Sequence, residues 1–338
     1  MSYRFTVADG EEFAAWNGYL KRSPHAGPFH QREALELLAD HTDTTLHPLL
    51  AYKGEQVIGV LPLFEGTKGP FTTVVSPPSG TEVYYLGTAL CDVDGLKQRK
   101  LDRRARRFVE GSIEWIDSNL DPDITHIRTV DRYTDLRPFS DSGFDVTPYY
   151  TYITDLTPSE DDLLMALSSD ARSNVTKTDE SEYNIEVGGL DDAREIIERV
   201  RERHEEQGEP YHITREYIDR LYTDLPEGQV RPYVCDGSEG EMAGGIVTVE
   251  FGDTIYRWQG GTKADVEIPV NDLLDWHVIR DARERGLERY DFVGANTERI
   301  CRYKSKFAPE LVHYHGALKR SPAADLAVTA RSLVAKVR

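Results

Sequence analysis

The feature that most constrains this chain is an internal duplication. "HPLLAYKGEQVIGVLPLFEG" reads as a strand, a Lys-Gly-Glu turn and a second strand. "VRPYVCDGSEGEMAGGIVTVEFG" repeats that arrangement with a longer polar turn, so that Gly59 corresponds to Gly244 (244 − 59 = 185 positions). Each copy continues with an aromatic strand, "TEVYYLG" in the first and "DTIYRWQGG" in the second. A helix follows, "KQRKLDRRARRFVEGSIEWIDSNL" or "PVNDLLDWHVIRDARERG", and then a strand, "ITHIRTV" or "RYDFVG". Both copies close on a helix-turn leading into a last strand, "YTDLRPFSDSGFDVTPYYTYI" and "NTERICRYKSKFAPELVHYHGAL". So many elements in the same order predict two copies of one α/β (α+β) fold, each a mixed, mostly antiparallel sheet flanked by helices. The copies meet near "TDLTPSEDD", which places the domains at 1–155 and 156–320. Residues 321–338 read as a short amphipathic helical tail with basic residues near its end.

Charge and cysteine usage remove several classes of function. The formal charge is −19 at pH 7, and this argues against DNA or any nucleic-acid backbone as the main partner, since binding one requires a basic face. An acidic, lysine-poor surface resembles that of proteins that stay soluble in concentrated intracellular salt, which points to a halophilic source. Cys91, Cys235 and Cys301 are scattered, with no CxxC pair or Cys/His cluster, so neither a metal site nor a disulfide framework is expected. No apolar run approaches the length of a membrane span, and "MSYRFTVADGEEF" carries no signal-like core, so a cytoplasmic protein without a transmembrane segment is expected. HExxH, GxSxG and GxGxxG motifs are all absent.

The repeated order of hairpin, third strand, helix, fourth strand, short helix and last strand is that of the GNAT acyltransferase fold, and two copies in tandem resemble the FemAB/FemX-like transferases with their BioF2-like acetyltransferase domain. The second half carries most of the resemblance. "SSDARSNVTKTDESEYNIEV" looks like the family's Arg-rich helix leading to a strand. "YRWQGGTKADVEIPVNDLLDWHVIRDARERGLERYDFVGAN" looks like its strand, loop, Asn-Leu-Leu-x-Trp helix and Asp-Phe strand. "ICRYKSKFAPELVHY" looks like its aromatic-Lys-x-x-Phe signature, with Tyr303 in place of the more usual Phe.

That resemblance places the family's functional lysine at Lys304. An acyl transfer passes through an anionic tetrahedral intermediate, which a fixed cation stabilises, and the acceptor must lose a proton. Lys304 is accordingly expected to face the reacting carbonyl and Tyr256 to position or relay a proton, while Lys306 reads as a solvated surface residue. On the helix of "DARSNVTKTDE", Arg172 and Lys177 suit recognition of a phosphate or carboxylate. Tyr256, Trp258 and Gln259 are candidates for lining the acyl channel, with one of the two aromatics expected in the core. Pro269 at a helix start leaves backbone N–H groups that favour an anion, with Asn271 beside them. Tyr211 and Tyr217, near His204 and His212, are candidates for bordering the acceptor pocket, and Asn296 completes the substrate-binding set.

Three departures from the family pattern bear on substrate. The Gln/Arg-x-x-Gly-x-Gly/Ala loop that holds the pyrophosphate of CoA is absent from both halves. Ile213 stands where the family carries an Arg one turn before the tyrosine, and no lysine follows "FHQREALELLAD". The leading expectation is an amide-forming acyl or aminoacyl transferase acting on an amino-bearing surface-glycan precursor or small molecule. Its donor is acetyl-CoA or aminoacyl-tRNA, tRNA then being the donor carrier, with no tightly bound cofactor. The alternatives are an acetyl-CoA-dependent N-acetyltransferase and a non-catalytic GNAT-like module that binds a glycan or nucleotide.

Overall fold

The computed structural model describes residues 2–263, 266–295 and 297–328. The chain divides into two compact units, one running to Tyr149 and resuming at His313, the other spanning Tyr150–Val312. Both are sheets covered by helices, as the duplication leads one to expect.

The first unit begins with β1 (Tyr3–Val7), α1 (Gly10–Ala14), α2 (Trp16–Leu20) and α3 (Arg32–Thr42). A hairpin of β2 (Thr45–Lys53) and β3 (Gln56–Lys68) follows, then β4 (Phe71–Ser76) and the short β5 (Ala89–Leu90). After these come α4 (Gln98–Asn119), β6 (Ile124–Arg128) and α5 (Arg137–Asp141). The strands run β1-β2-β3-β4-β6, antiparallel except for the parallel pair β4–β6, with β5 attached to β3. Helix α4 forms because Leu101, Ala105, Phe108, Val109, Ile113 and Ile116 recur at helical spacing, and this stripe packs on Ile58, Leu61 and Leu63 of β3.

The expected strand "TEVYYLG" does not form. β4 already occupies the place beside β3 and pairs with β6 from Thr73↔Ile124 to Ser76↔Ile127. Pro77 and Pro78, lacking N–H donors, then end the ladder. Residues 81–87 run on irregularly, touching the sheet through one bridge, Leu86↔Thr129.

The second unit takes up β7 (Asp145–Asp155) from Tyr150 and continues through α6 (Glu160–Ala166), α7 (Ser169–Lys177) and β8 (Tyr183–Val187). Two longer helices, α8 (Leu190–Gln207) and α9 (Arg215–Asp224), precede the meander β9 (Val230–Gly237), β10 (Met242–Phe251) and β11 (Thr254–Thr262). Then come α10 (Val270–Glu284), β12 (Arg289–Asp291), α11 (Glu298–Lys304) and β13 (Glu310–Arg320). The order here is β8-β9-β10-β11-β12-β7, with β11–β12 the parallel pair.

The duplication extends to single residues. The β2–β3 register skips Ile58, just before Gly59, and the β9–β10 register skips Ala243, just before Gly244. A Cβ on Gly59 would lie 2.6 Å from Phe108 of α4, and one on Gly244 would lie 2.9 Å from Val270 of α10. Each glycine lets the same helix of its own copy approach a bulged strand.

The closing strands depart from the expected domain limits of 155 and 320. Residues 313–320 of β13 rejoin the first unit, where Gly316↔Arg128 to Arg320↔Ile124 pair antiparallel with β6. The end of β7 closes the second sheet against β12, from Arg289↔Asp155 to Asp291↔Ile153. Each sheet thus takes its last strand from the other half of the sequence. Of the expected tail helix, residues 322–328 are helical and 329–338 lie outside the described residues. Among the described residues no helix is long and apolar enough to cross a membrane.

Alanine at Gly59 or Gly244 should destabilise the unit that carries it by about 1–3 kcal/mol through overpacking, whereas Gly10→Ala, with open space at its Cβ, should be near neutral. Urea unfolding with hydrogen exchange resolved by unit checks both the size of the loss and its place.

Candidate active site

The site is built where two parallel strands part. β11 and β12 pair over only three positions, Thr254↔Arg289 to Tyr256↔Asp291. Beyond them the chain after β12 stays with β7, Phe292 N–H donating to Tyr152 O (2.9 Å) and Ala295 N–H to Tyr150 O (2.7 Å). β11 instead continues along β10 to Thr262. A wedge opens between Arg257–Gly260 on one side and Phe292–Ala295 on the other. Among the described residues no other strand adds to β11 on that side.

A bulge on β11 sets which side chains stand beside the wedge. Val247 opposes Gln259 and Thr248 opposes Arg257, leaving Trp258 as the extra residue. Two consecutive side chains therefore fall on the α8–α9 side. Trp258 is buried and stacks on Tyr217 (5.8 Å, 23°), and Gln259 accepts a hydrogen bond from the Tyr211 hydroxyl (3.2 Å). The Tyr211 ring lies 4.9 Å from that of His204. Arg257 turns to the α10 side, and Tyr256 is half-buried.

The opposite edge of the wedge is held by Lys304. Its Nζ donates to the carbonyls of Phe292 (2.6 Å), Val293 (2.9 Å) and Gly294 (2.8 Å). Val293 sits at φ 52°, a conformation that costs a β-branched residue about 1–3 kcal/mol unless its surroundings hold it. Lys304 is 8% exposed, and burial together with the positive Arg257 pulls its pKa down to about 7, against Asp291 and Asp275. Three carbonyls occupy all three N–H groups of the ammonium, so the cation is committed to the backbone. Asp291 supports the same turn, accepting from Thr151 Oγ1 (2.6 Å) and Val293 N–H (2.8 Å).

Behind the strands lies a charged network that the sequence reading missed. Asp275 is fully buried on α10 and accepts from Arg257 Nε (2.8 Å) and from the hydroxyls of Tyr290 and Tyr303. Burial and the carboxylate hold both tyrosines well above the usual phenol range, so neither serves as a base near neutral pH. Burial opposes the charge on Arg257, but Asp275 more than offsets this and keeps the guanidinium charged. A signal was available: Asp275 shares the buried stripe of α10 with Val278, Ile279 and Ala282, where an acid implies a buried cationic partner.

The start of α10 borders a cavity of about 320 Å³ lined by Asn174, Lys263, Asn271, Asp272, Tyr303 and Lys306 among others. Lys306, expected to be solvated, is instead half-buried between Asp170 (3.0 Å) and Asp272 (3.3 Å). The Ser168 hydroxyl and then Lys306 pull Asp170 down to about 2, and Lys306 is raised because its carboxylate partners outweigh its burial. Asp272 also accepts from Asn174 Nδ2 (2.6 Å), and Asn271 donates to Thr262 Oγ1 (3.3 Å). The first turn of α10 thus already carries its own anion.

The remaining expected residues are less concentrated. Arg172 donates to the Met165 carbonyl (2.8 Å), and Lys177 is exposed at the end of α7. Asn296 lies outside the described residues. Among the described residues no group of three or more His, Cys, Asp or Glu is placed to hold a metal ion.

The first unit has the counterpart of the wedge, where β6 leaves β4, but its own chain fills it. Leu86 N–H donates to Arg128 O (3.0 Å) and Gly87 N–H to Ser76 Oγ (3.0 Å). A Cβ on Gly87 would come within 2.7 Å of the Arg128 carbonyl.

Residues 168–305 match the family model described as an acetyltransferase (GNAT) domain. No curated protein matches the chain. Among solved structures the chain is similar to FemX, with a TM-score of 0.70 at 14% identity, over 93% of this chain and 97% of that one. It is also similar to L-PGS from Bacillus licheniformis (TM-score 0.56, 11% identity, 96% and 97% covered). A tandem GNAT protein from the clavulanic acid biosynthesis pathway gives a TM-score of 0.52 at 13% identity, with 94% and 98% covered. At these identities the likeness is one of fold.

Replacing Lys304 by Met should destabilise the second unit, since each carbonyl left unpaired costs about 1–3 kcal/mol. The wild type carries a further pH signature. The folded lysine loses its proton near pH 7 and the unfolded one near 10.5, so across that window the unfolded chain holds more protons. The stability of wild type relative to Lys304→Met should therefore rise with pH, by at most about 1.4 kcal/mol per unit, and level off below pH 7. Urea melts of both proteins at a series of pH values measure that slope.

Proposed function

From the match of residues 168–305 to a GNAT acetyltransferase domain and the similarity of the fold to that of FemX, we infer that the second unit transfers an acyl group to an amine, forming an amide. The observation that carries the reading is the open wedge between β11 and β12, held apart by Lys304. An acyl group laid in the wedge brings its carbonyl oxygen to the backbone of β11 on the side that β12 leaves, where N–H groups suit an oxyanion. The amine attacks the acyl carbon, a C–N bond forms, the bond to the donor's oxygen or sulfur breaks, and the nitrogen's proton leaves with the donor or through water. Catalysis of this kind rests on positioning more than on a strong base.

In this reading Lys304 is a positioning residue that acts through the carbonyls of 292–294 rather than a contact to the reacting carbonyl. Tyr256, the last residue of β11 paired with β12, stands at the mouth of the wedge and is the candidate to orient the acceptor or relay its proton. Trp258, Gln259, Tyr211 and Tyr217 form a wall on the α8–α9 side for the substrate. Arg172 and Lys177 on α7 remain candidates for an anionic part of a substrate.

The donor we favour is an aminoacyl ester carried by tRNA. The end of α10 where a pyrophosphate would sit presents Asp272, and Lys306 is already shared between two carboxylates. A pyrophosphate there meets a carboxylate at close range, which weakens its binding. The acceptor in this reading is an amino-bearing glycan precursor or small molecule. The second reading, acetyl-CoA as donor, is favoured by the acetyltransferase description of the matching domain.

Thermal unfolding with acetyl-CoA, CoA and aminoacyl-tRNA separates the two, because a ligand at about 100 times its Kd adds about 2.7 kcal/mol. We expect no shift with either CoA species, a shift with charged tRNA, and loss of the ester when amines are supplied. A shift with acetyl-CoA that grows in Asp272→Asn would establish the second reading in place of the first. Lys304→Met should lower kcat at least about tenfold with little change in acceptor KM, the pattern of a lost transition-state geometry.

A further inference from the structure

We propose that the first unit holds a binding site for an anion, a carboxylate or phosphate on a ligand with a flat neighbouring group, centred on Arg128. The site was not among the residues expected to bind substrate. Arg128 is the last residue of β6, on the filled wedge of the first unit.

Several half-buried arginines elsewhere in the chain are paired with acids: Arg22 with Asp92, Arg194 with Asp219, Arg257 with Asp275 and Arg285 with Glu250. Acids outnumber bases, 59 to 40, so a partner is easy to supply. Arg128 makes no ion pair among the described residues. Its guanidinium gives one hydrogen bond, Nη2 to the Val83 carbonyl (3.2 Å). Burial lowers its pKa, and the nearby Tyr314, Tyr149, Tyr84 and Glu82 offset that only in part. A guanidinium has five N–H donors in a planar fork, and the Val83 carbonyl takes only one of them, which leaves the rest of the fork for an anion.

The surroundings indicate what that anion is attached to. Tyr149 and Tyr314 stack at 5.4 Å and 20°, and Tyr85 meets Tyr314 edge-on at 4.9 Å. Tyr84 is pushed up to about 12, chiefly by burial, so its hydroxyl stays protonated and able to donate. Gly316, opposite Arg128 in the β6–β13 ladder, lets the Tyr149 ring and His126 close on the strand beside Arg128. A Cβ there would lie 2.8 Å from the Tyr149 ring, 2.9 Å from His126 Nε2 and 3.6 Å from Arg128 Cγ. Forked guanidinium geometry suits bidentate recognition of carboxylate or phosphate, and tyrosine faces suit a planar group beside it. As the place for the anionic part of the acceptor, the site rests on the acyl-transfer reading. As a binding site it does not, and the test measures binding alone.

Benzoate and phenyl phosphate share a ring and differ in the anion, and benzamide keeps the ring without charge. Each is titrated at millimolar concentration against the full chain, wild type and Arg128→Gln, by calorimetry and thermal unfolding. We expect wild type to bind at least one of the two anions, with benzamide binding about tenfold weaker or less, and Arg128→Gln to lose that preference. Which anion binds decides between carboxylate and phosphate. Without ligand, Arg128→Gln should unfold at the wild-type temperature or above it, because an uncompensated charge has been removed. Anion binding unchanged in Arg128→Gln, or no anion preference in wild type, overturns the proposal. A variant that unfolds well below wild type without ligand also overturns it, because Arg128 is then a structural residue.

Discussion

Three hydrogen bonds from one buried ammonium decide the shape of the second unit's working end. Lys304 gathers the carbonyls of Phe292, Val293 and Gly294, and a turn that places a valine in the left-handed region becomes tenable. Because that turn stays with β7, β12 stops after three residues and β11 continues along β10. The open wedge follows. A surface lysine could not hold such a turn, since exposed donors exchange partners with water at little cost.

A buried cation needs its charge balanced, and the network behind the strands provides this. Arg257 and Lys304 are matched by Asp275 and Asp291, and the hydroxyls of Tyr290, Tyr303 and Thr151 take up further oxygen lone pairs. Removing one member would leave a buried charge without its partner, which is far more damaging than never having had the pair. The likeness of Tyr303 to a phenylalanine is therefore only partial: its ring packs on Phe307, and its hydroxyl also satisfies a buried carboxylate.

The two copies have diverged at the position where the fold opens. In the second unit the parting strands leave space, whereas in the first the segment through Leu86 and Gly87 is bonded into it. Backbone that fills a wedge leaves no room in it, and this is the ground for the proposal that acyl transfer belongs to the second copy. Arg128, whose guanidinium is bonded to the Val83 carbonyl and makes no ion pair among the described residues, lies beside the stacked Tyr149 and Tyr314 of the first copy.

Much of this was legible in the residues. The spacing of Phe108, Val109 and Ile113, and the correspondence of Gly59 with Gly244, determined by themselves that there are two copies of one layered fold, because periodicity and close helix approach are local requirements. Lys304 was identified as unusual from sequence, but its partners were not, because backbone carbonyls leave no trace in side-chain identity. The failure of "TEVYYLG" to form a strand, the burial of Lys306 between Asp170 and Asp272, and the pairing of Arg257 with Asp275 depended on which neighbours already occupied a place. The exchange of closing strands is of the same kind: residues 150–155 and 313–320 have equal strand character wherever they pair, and only the tertiary structure chose their sheets. What a residue demands of its own backbone and nearest turn is written in the chain, whereas which distant group satisfies a hydrogen bond or a charge is decided when the chain packs.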